Sequence, residues 1–417
     1  MVNAAFPYNM GGRLYFIQEV KRLDRAGLRY ADRMKHLNGS AIREIFKYMG
    51  RPGMISFAGG NPGNFALPDE QIACITNELL RTNGKQLLQY GQTEGYAPLR
   101  EALPAYIENS FQTKTDVNDL LVTTGSMQGL DLLLKALINP GDVILTEEPV
   151  FLGAIQAMTA AQAKIVPVRS DENGIDTGHL EEMMRLHKPR LLYIIPTFQN
   201  PTGRTLSLSR RKEVAQLAAR HGVVVAEDDP YRALRYSGQE LPAIKSFDQE
   251  GFVVLLGSFS KIISPGLRVG FMAGDPELIS RCAVCKQCAD VHTPTLNQAI
   301  IEYYLRHGLL KEHISAIRPV YGEMMNAMLS KLPDISQIES YTKPEGGLFI
   351  FAFLQEGLDA LSFLRPAIDR GLAFVPGESF YVEGGHKNTL RLNFSGTDLM
   401  GIQRGMDILK DCLSGIE

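Results

Sequence analysis

A lysine set between two core strands is the first residue in this sequence that asks for a chemical reason. Residues 257–271 read GSFSKIISPGLRVGF, and Lys261 is flanked by the apolar runs GFVVLL (251–256) and RVGFMAG (268–274), which both read as buried strands. An unpaired ammonium is costly to bury. Desolvation and nearby cations lower a lysine's pKa and prepare it to form a Schiff base with an aldehyde. The plain alternative is a lysine that snorkels to solvent from a strand end. Ser258, Ser260 and Arg268 are close in sequence and suited to binding a phosphate, which would leave Lys261 free to reach the aldehyde.

Three other polar clusters fall at strand ends, where ligands of open parallel sheets bind. TTGSMQG (123–129) opens a helix, and Gly125 and Ser126 can turn its first amides toward a phosphate; an ordinary serine-capped turn would look the same. In AEDDPYR (226–232), Asp228 closes a hydrophobic strand and needs a cationic or hydrogen-bonding partner. A pyridinium nitrogen would satisfy it and stay protonated as an electron sink; in the plainer reading Asp228 and Asp229 cap the turn. IPTFQNPTG (195–203) is the remaining cluster.

The elements that must position these residues alternate. DLLVTTGSMQGLDLLLKALINPGD, DVILTEEPVFLGAIQAMTAAQA and RLLYIIPTFQNPTGRTLSLSRRKEVAQLAARHG each pair a short apolar strand with an amphipathic helix. That pattern predicts an α/β fold with a largely parallel sheet and helices on its faces. After about residue 320 the pattern changes to TKPEGGLFIFAFL, GLAFVPGESFY and NTLRLNFSG, separated by helical stretches, which predicts a smaller α+β unit. The helical pattern at 39–50 (GSAIREIFKYMG) needs a partner face and is expected to pack near it. The expected division is a large domain over 63–319 and a small domain built from 1–62 and 320–417.

Net charge is -3 over 417 residues and the basic residues are scattered, which argues against a nucleic-acid partner. No run is long and apolar enough to span a bilayer, and the first thirty residues lack a secretory pattern, so a cytoplasmic location is expected. Cys282, Cys285 and Cys288 sit within ELISRCAVCKQCADV, which reads as helix without the turns of a zinc knuckle; no metal site is expected there.

NPTG at 200–203, EDDPY at 227–231, SFSKIISPGLRVGF at 258–271 and RLNFS at 391–395 resemble, in order, the motifs of class I/II aminotransferases, which are fold type I pyridoxal-phosphate enzymes. The resemblance runs from ISFAGGNPG (55–63) to the C-terminal helix and is strongest to the branch of kynurenine/2-aminoadipate aminotransferases and the catalytic domains of MocR-type regulators. It implies a mostly parallel seven-stranded sheet in the large domain and pyridoxal 5'-phosphate as cofactor, joined to Lys261 as an internal aldimine.

By that resemblance Lys261, Asp228 and Tyr231 are the catalytic residues. Lys261 shuttles a proton between the substrate Cα and the cofactor C4′, Asp228 pairs with the pyridine nitrogen, and Asn200 and Tyr231 bond the ring's phenolic oxygen. Gly125, Ser126, Met127, Ser258, Ser260 and Arg268 surround the phosphate. Phe151 stands where many relatives have a tyrosine and keeps the ring stacking without the hydroxyl. Arg391 takes the substrate α-carboxylate in a bidentate fork, with Asn200 and Gly60 beside it. Tyr90 is a residue given across a homodimer to the neighbouring phosphate.

The function so implied is ping-pong amino-group transfer between an α-amino acid and a 2-oxo acid such as 2-oxoglutarate. A Cβ lyase on the same scaffold would use the same residues. A MocR-like regulatory domain would need a DNA-binding module, for which too few residues precede the first motif. The substrate pocket is expected to draw on the N-terminal segment, 345–351 and 376–381, where Phe349, Phe380 and Tyr381 offer room for apolar or aromatic side chains, unless they are core residues, the reading favoured for Phe351. Arg13, Arg22 and Arg25 leave acidic substrates open. Aromatic, 2-aminoadipate-like or aliphatic donors are expected.

Overall fold

The computed structural model describes residues 29–35, 37 and 53–415. The helical pattern at 39–50 and Arg13, Arg22 and Arg25 lie outside them. Numbering covers the strands of the two larger sheets and the α-helices. In chain order these are α1 (Asp69–Leu87), α2 (Ala97–Phe111), β1 (Leu120–Thr123), α3 (Ser126–Leu137), β2 (Val143–Glu147), α4 (Leu152–Ala160), β3 (Lys164–Val168), α5 (Thr177–His187), β4 (Leu191–Ile194), α6 (Leu208–His221), β5 (Val224–Asp228) and β6 (Val253–Ser258). Then follow β7 (Gly270–Ala273), α7 (Pro276–Ala289), α8 (Thr295–Arg306), α9 (Leu309–Lys331), β8 (Ile338–Tyr341), β9 (Phe349–Leu354), α10 (Ala360–Asp369), β10 (Val375–Pro376), β11 (Thr389–Asn393) and α11 (Leu399–Ser414).

The central sheet has seven strands in the order β1-β7-β6-β5-β4-β2-β3. Only β7 runs against its neighbours; β6, β5, β4, β2 and β3 pair in parallel. The middle strands are buried on both faces, which is why they read as unbroken apolar runs rather than alternating ones. One apolar cluster joins residues of this sheet to the small sheet, and a second lies where α5 and α6 cover β2–β5. Helix α2 shows how sequence spacing sets the packing: Leu99, Leu103, Ile107 and Phe111 fall at i, i+4 intervals and are all buried.

The small sheet is antiparallel with order β8-β9-β11-β10. Residue 320 falls inside α9, a single helix of 23 residues, so the change in sequence character occurs along a continuous element. The three cysteines are helical as expected, on α7, with Cys282 buried and Cys288 exposed. Among the described residues no cluster of His, Cys, Asp and Glu is arranged to hold a metal. No helix among them is long and apolar enough to cross a membrane.

Candidate active site

The carboxyl ends of β4, β5 and β6 and the amino end of α3 converge on a cleft of about 730 Å³. Asp228, the last residue of β5, lies in its floor and is 3% exposed. Its Oδ2 accepts a 2.8 Å hydrogen bond from the Tyr193 hydroxyl on β4, while the buried Oδ1 has no hydrogen bond. Burial raises the Asp228 carboxyl to about 6, although the Tyr193 hydroxyl and the nearby Ser126 hydroxyl favour the charged form. A buried carboxylate oxygen without a donor is an open position for a cationic N–H.

Lys261 sits in the first turn after β6, and its Nζ donates to the Gly60 carbonyl at 2.6 Å. Burial, and then the charges of Arg391 and Arg268, lower the ammonium to about 8, with Asp228 acting in the opposite sense. A Cβ on Gly60 would lie 3.1 Å from Phe349 Cζ, so any side chain there would press on that ring.

Gly125, Ser126, Met127, Ser258, Ser260 and Arg268 form the other end. Gly125 has φ +85°, a left-handed value, and a Cβ there would lie 2.6 Å from Arg268 Nη2. Arg268 Nη2 donates to the Thr124 carbonyl at 3.0 Å, and Nη1 reaches Ser260 Oγ and the Pro265 carbonyl, both at 3.4 Å. Ser258 Oγ accepts from the Ser260 amide at 3.2 Å. Ser126, Met127, Ser258, Ser260 and Arg268 all line the cleft. A guanidinium beside the first amides of a helix makes an anion site. Phe151, just before α4, lines the wall between these two ends.

Arg391 projects from β11 with its guanidinium over the rings of Phe349 (4.4 Å) and Phe380 (5.1 Å). It donates to Asn200 Oδ1 at 2.8 Å and to the Ala58 carbonyl at 2.6 Å, and its Nε is buried without a partner. The hydroxyl of Tyr231 is buried beside it and burial raises its pKa, with Arg391 and Asn200 acting the other way. Tyr231 meets Phe349 edge to face at 5.8 Å. Of the residues assigned from sequence to catalysis, the cofactor and the substrate carboxylate, the cleft brings together all except Gly125, in the turn beside it, and Tyr90. Tyr90 is 81% exposed and packs edge to face on His292.

The expectation that 345–351 and 376–381 line the pocket is corrected. Among the described residues neither segment lines the cleft; Phe349 and Phe380 are fully buried beneath the Arg391 guanidinium, and Tyr381 stacks on His386. Phe351 is core, as expected.

Sequence reasoning missed Tyr193, although one tyrosine within the aliphatic run RLLYIIP signals a buried hydroxyl that needs an acceptor. It also missed Gln156, which lines the cleft and carries no local signal, whereas Leu37 lines it from the N-terminal segment expected there. Fully buried Arg211 on α6 was missed too. It donates to the Leu206, Pro242 and Pro196 carbonyls and to Thr197 Oγ1, which in turn donates to Asp229 Oδ2. Asp229 also accepts from Arg232, so this chain of bonds ties the Asn200 loop to the turn bearing Asp228 and Tyr231.

A larger cleft of about 870 Å³ lies between α2, α8 and α9, but four of its arginines are already ion-paired. Arg232 pairs with Asp229, Arg235 with Glu345, Arg306 with Glu302 and Arg318 with Glu240. The smaller cleft has the chemistry. Its described basic residues are Lys261, Arg268 and Arg391, and its acid is Asp228.

A parallel-sheet fold with a perturbed lysine, a half-satisfied aspartate and two separate arginines defines an enzyme built for an anionic aldehyde cofactor and a carboxylate substrate. The sequence profile of the family "aminotransferase class I and II" matches residues 53–409, and the chain belongs to that family. It is 41% identical over 384 residues to a 2-aminoadipate transaminase of Thermus thermophilus, covering 91% of this chain and 95% of that one. It is 38% identical over 390 residues to aromatic-amino-acid aminotransferase 1 of Thermococcus litoralis, covering 92% and 94%. The fold matches the crystal structure of an α-aminoadipate aminotransferase from Thermus thermophilus, complexed with N-(5'-phosphopyridoxyl)-L-leucine, with a TM-score of 0.86 at 39% identity over 93% of this chain and 97% of that one. The reaction is amino-group transfer rather than lyase chemistry, and the cofactor is pyridoxal 5'-phosphate. The residues fit that group: among the described residues Asp228 Oδ1 has no donor, and the bare Gly125 lets the Arg268 guanidinium lie against the turn that opens α3.

Proposed function

We propose that the enzyme moves an amino group from an α-amino acid with an aromatic, 2-aminoadipate-like or aliphatic side chain to a 2-oxo acid such as 2-oxoglutarate, by a ping-pong route. One observation carries the reading: the cleft's three described cations occupy separate positions with separate partners, so each serves a different group. Bound pyridoxal phosphate supplies an aldehyde for Lys261 and a ring that withdraws charge from the substrate Cα.

Asp228 Oδ1 would accept from the ring nitrogen and keep it protonated. Asn200 and Tyr231 would bond the phenolic oxygen. Ser126, the Met127 amide, Ser258, Ser260 and Arg268 would hold the phosphate, and Phe151 would cover the ring. Arg391 would fix the substrate carboxylate so that the Cα proton faces Lys261, whose pKa of about 8 leaves far more neutral amine to remove it than an ordinary lysine would have. In the described wall, Leu37 and Ile195 add apolar surface that suits aromatic and aliphatic side chains. Exposed Tyr90 completes the site of a second copy in a homodimer, and the enzyme works in the cytoplasm.

An absorbance spectrum tests the reading directly. The bound aldehyde form is expected to convert to the amine form when donors are added, and 2-oxoglutarate is expected to restore it. Activity confined to aspartate overturns the substrate assignment. A monomer in light scattering that remains fully active overturns the shared site.

Arg391→Lys is expected to lower kcat/KM by roughly 10²–10³-fold, because an ammonium cannot reproduce two parallel bonds or lie flat on two phenyl rings. Steady-state kinetics with a good donor measure it. A loss below about threefold would remove Arg391 from carboxylate binding.

A further inference from the structure

Lys286 is a buried charge that the reaction does not use. It lies on α7 with 0% exposure, and its Nζ donates to Asp290 Oδ1 at 2.9 Å, Asp290 Oδ2 at 3.0 Å and Gln128 Oε1 at 2.7 Å. Gln128, in the first turn of α3, donates from Nε2 to Asp290 Oδ2 at 2.6 Å and accepts from the Thr124 amide at 2.8 Å. The Thr124 hydroxyl donates to Asp290 Oδ2 at 2.9 Å and lies 3.1 Å from Thr293 Oγ1, while its carbonyl accepts from Arg268. Every polar group of Thr124 is thereby engaged.

The cost of this arrangement needs a reason. Lys286 is fully buried while its partner Asp290 is partly exposed, and the hydration a buried ammonium loses is not reliably repaid by one such pair, so stability alone does not account for Lys286. The next residue along is Gly125, whose lack of a Cβ gives the turn its shape but also the greatest backbone freedom to lose. A turn with a glycine at its centre needs fixing from outside if the amides and hydroxyl that follow are to stand at one distance from a ligand. The bonds from α7 supply that constraint on the side away from the cleft: neither Lys286 nor Asp290 lines it.

We propose that Lys286, Asp290 and Gln128 form a latch that positions the Thr124–Gly125–Ser126 turn and Arg268, and so determines how tightly the cofactor phosphate is held. This rests on the reading above that Ser126, Met127 and Arg268 hold that phosphate. Lys286 and Asp290 are positioning residues that touch neither cofactor nor substrate.

The test compares two ligands on the same protein. Wild-type, Lys286→Met, Asp290→Asn and Arg268→Gln apoenzymes are titrated with pyridoxal 5'-phosphate and with pyridoxal, which lacks the phosphate, and bound ligand is read by absorbance. Lys286→Met is expected to weaken the phosphorylated ligand by about 10–30-fold and to leave pyridoxal within about twofold. Asp290→Asn, at a partly exposed position and of the same shape, is expected to show the same selectivity at smaller size, which keeps the test available if Lys286→Met does not fold. A protein carrying both Lys286→Met and Asp290→Asn is expected to be no worse than Lys286→Met alone, because the residues act as one unit. Equal weakening of both ligands, or no weakening, overturns the latch. Arg268→Gln separates the two layers of the argument. If it loses the preference for the phosphorylated ligand while the α7 variants keep it, the latch alone falls; if it also keeps the preference, the phosphate assignment falls and the latch with it.

Discussion

Lys261→Ala is expected to lose amino-group transfer by on the order of 10⁴-fold or more while remaining folded, because it removes both the group that joins the cofactor and the base that takes the substrate proton. Among the described residues the side chain makes one hydrogen bond, to the Gly60 carbonyl, so little of the described fold depends on it. Burying that ammonium is itself a cost. A lysine lowered from 10.5 to about 8 binds fewer protons in the folded chain than in the unfolded chain between those two values. Stability of the wild-type apoenzyme should therefore rise with pH across that window, and the alanine variant should lack this contribution. Thermal melts of the two apoenzymes at matched pH measure the difference. The rate of cofactor uptake by the wild type should likewise rise with pH through about 8, as the neutral amine becomes abundant. A variant with a tenth of wild-type turnover, or uptake independent of pH, would remove Lys261 from both roles.

What the sequence made legible follows from distance along the chain. Lys261, Asp228, Asn200 and Ser126 each sit at the end of an apolar run, and parallel strands bring such ends to one edge of a sheet; local pattern was enough. The bonds that tune them are non-local. Tyr193 is 35 residues from Asp228, and Lys286 is 158 residues from Gln128, so neither partner is visible from the neighbourhood of the other. The aromatic residues of the small domain were misplaced for a related reason. Phe349 and Phe380 have the composition of a pocket wall, but the register Phe351↔Arg391 sets Arg391 among them, and they became the bed of a guanidinium. Strand β8 escaped notice because IESY is a short edge strand with two exposed residues and no apolar run. Helix α5 hid behind a polar sequence whose strongest signal was its cap, Asp176, which accepts from Gly178 and His179. Tyr90 is a different case: its ring packs on His292 within the chain, and the proposed role depends on a second copy.

Asp228→Asn is expected to move activity and stability in opposite directions. The carboxylate is held in the floor of the cleft with one oxygen bonded to Tyr193 and the other open, an arrangement that favours its neutral form until a cation arrives. Its folded pKa of about 6 lies above the unfolded value of 3.8, so the protonated acid is stabilising below the lower value and that contribution is lost as pH rises through the higher one. At neutral pH the wild-type apoenzyme therefore carries an ionised, poorly solvated group. Asparagine has the same shape, keeps an acceptor for the Tyr193 hydroxyl and has no charge. The variant apoenzyme should thus be more stable than wild type at pH 7 by roughly 1–3 kcal/mol. That advantage should shrink toward pH 4, where the wild-type carboxyl is protonated. Activity should fall by about 10²–10⁴-fold, because an amide cannot hold a protonated ring nitrogen and the ring then withdraws less charge from the substrate Cα. Bound pyridoxal phosphate should raise the melting temperature of the wild type more than that of the variant, since only the carboxylate gains an ion pair on loading. Melts with and without cofactor at two pH values, run beside turnover measurements, decide the matter. A variant that is both less stable as apoenzyme and as responsive to cofactor as wild type would show that Asp228 is held by its surroundings rather than poised for a cation.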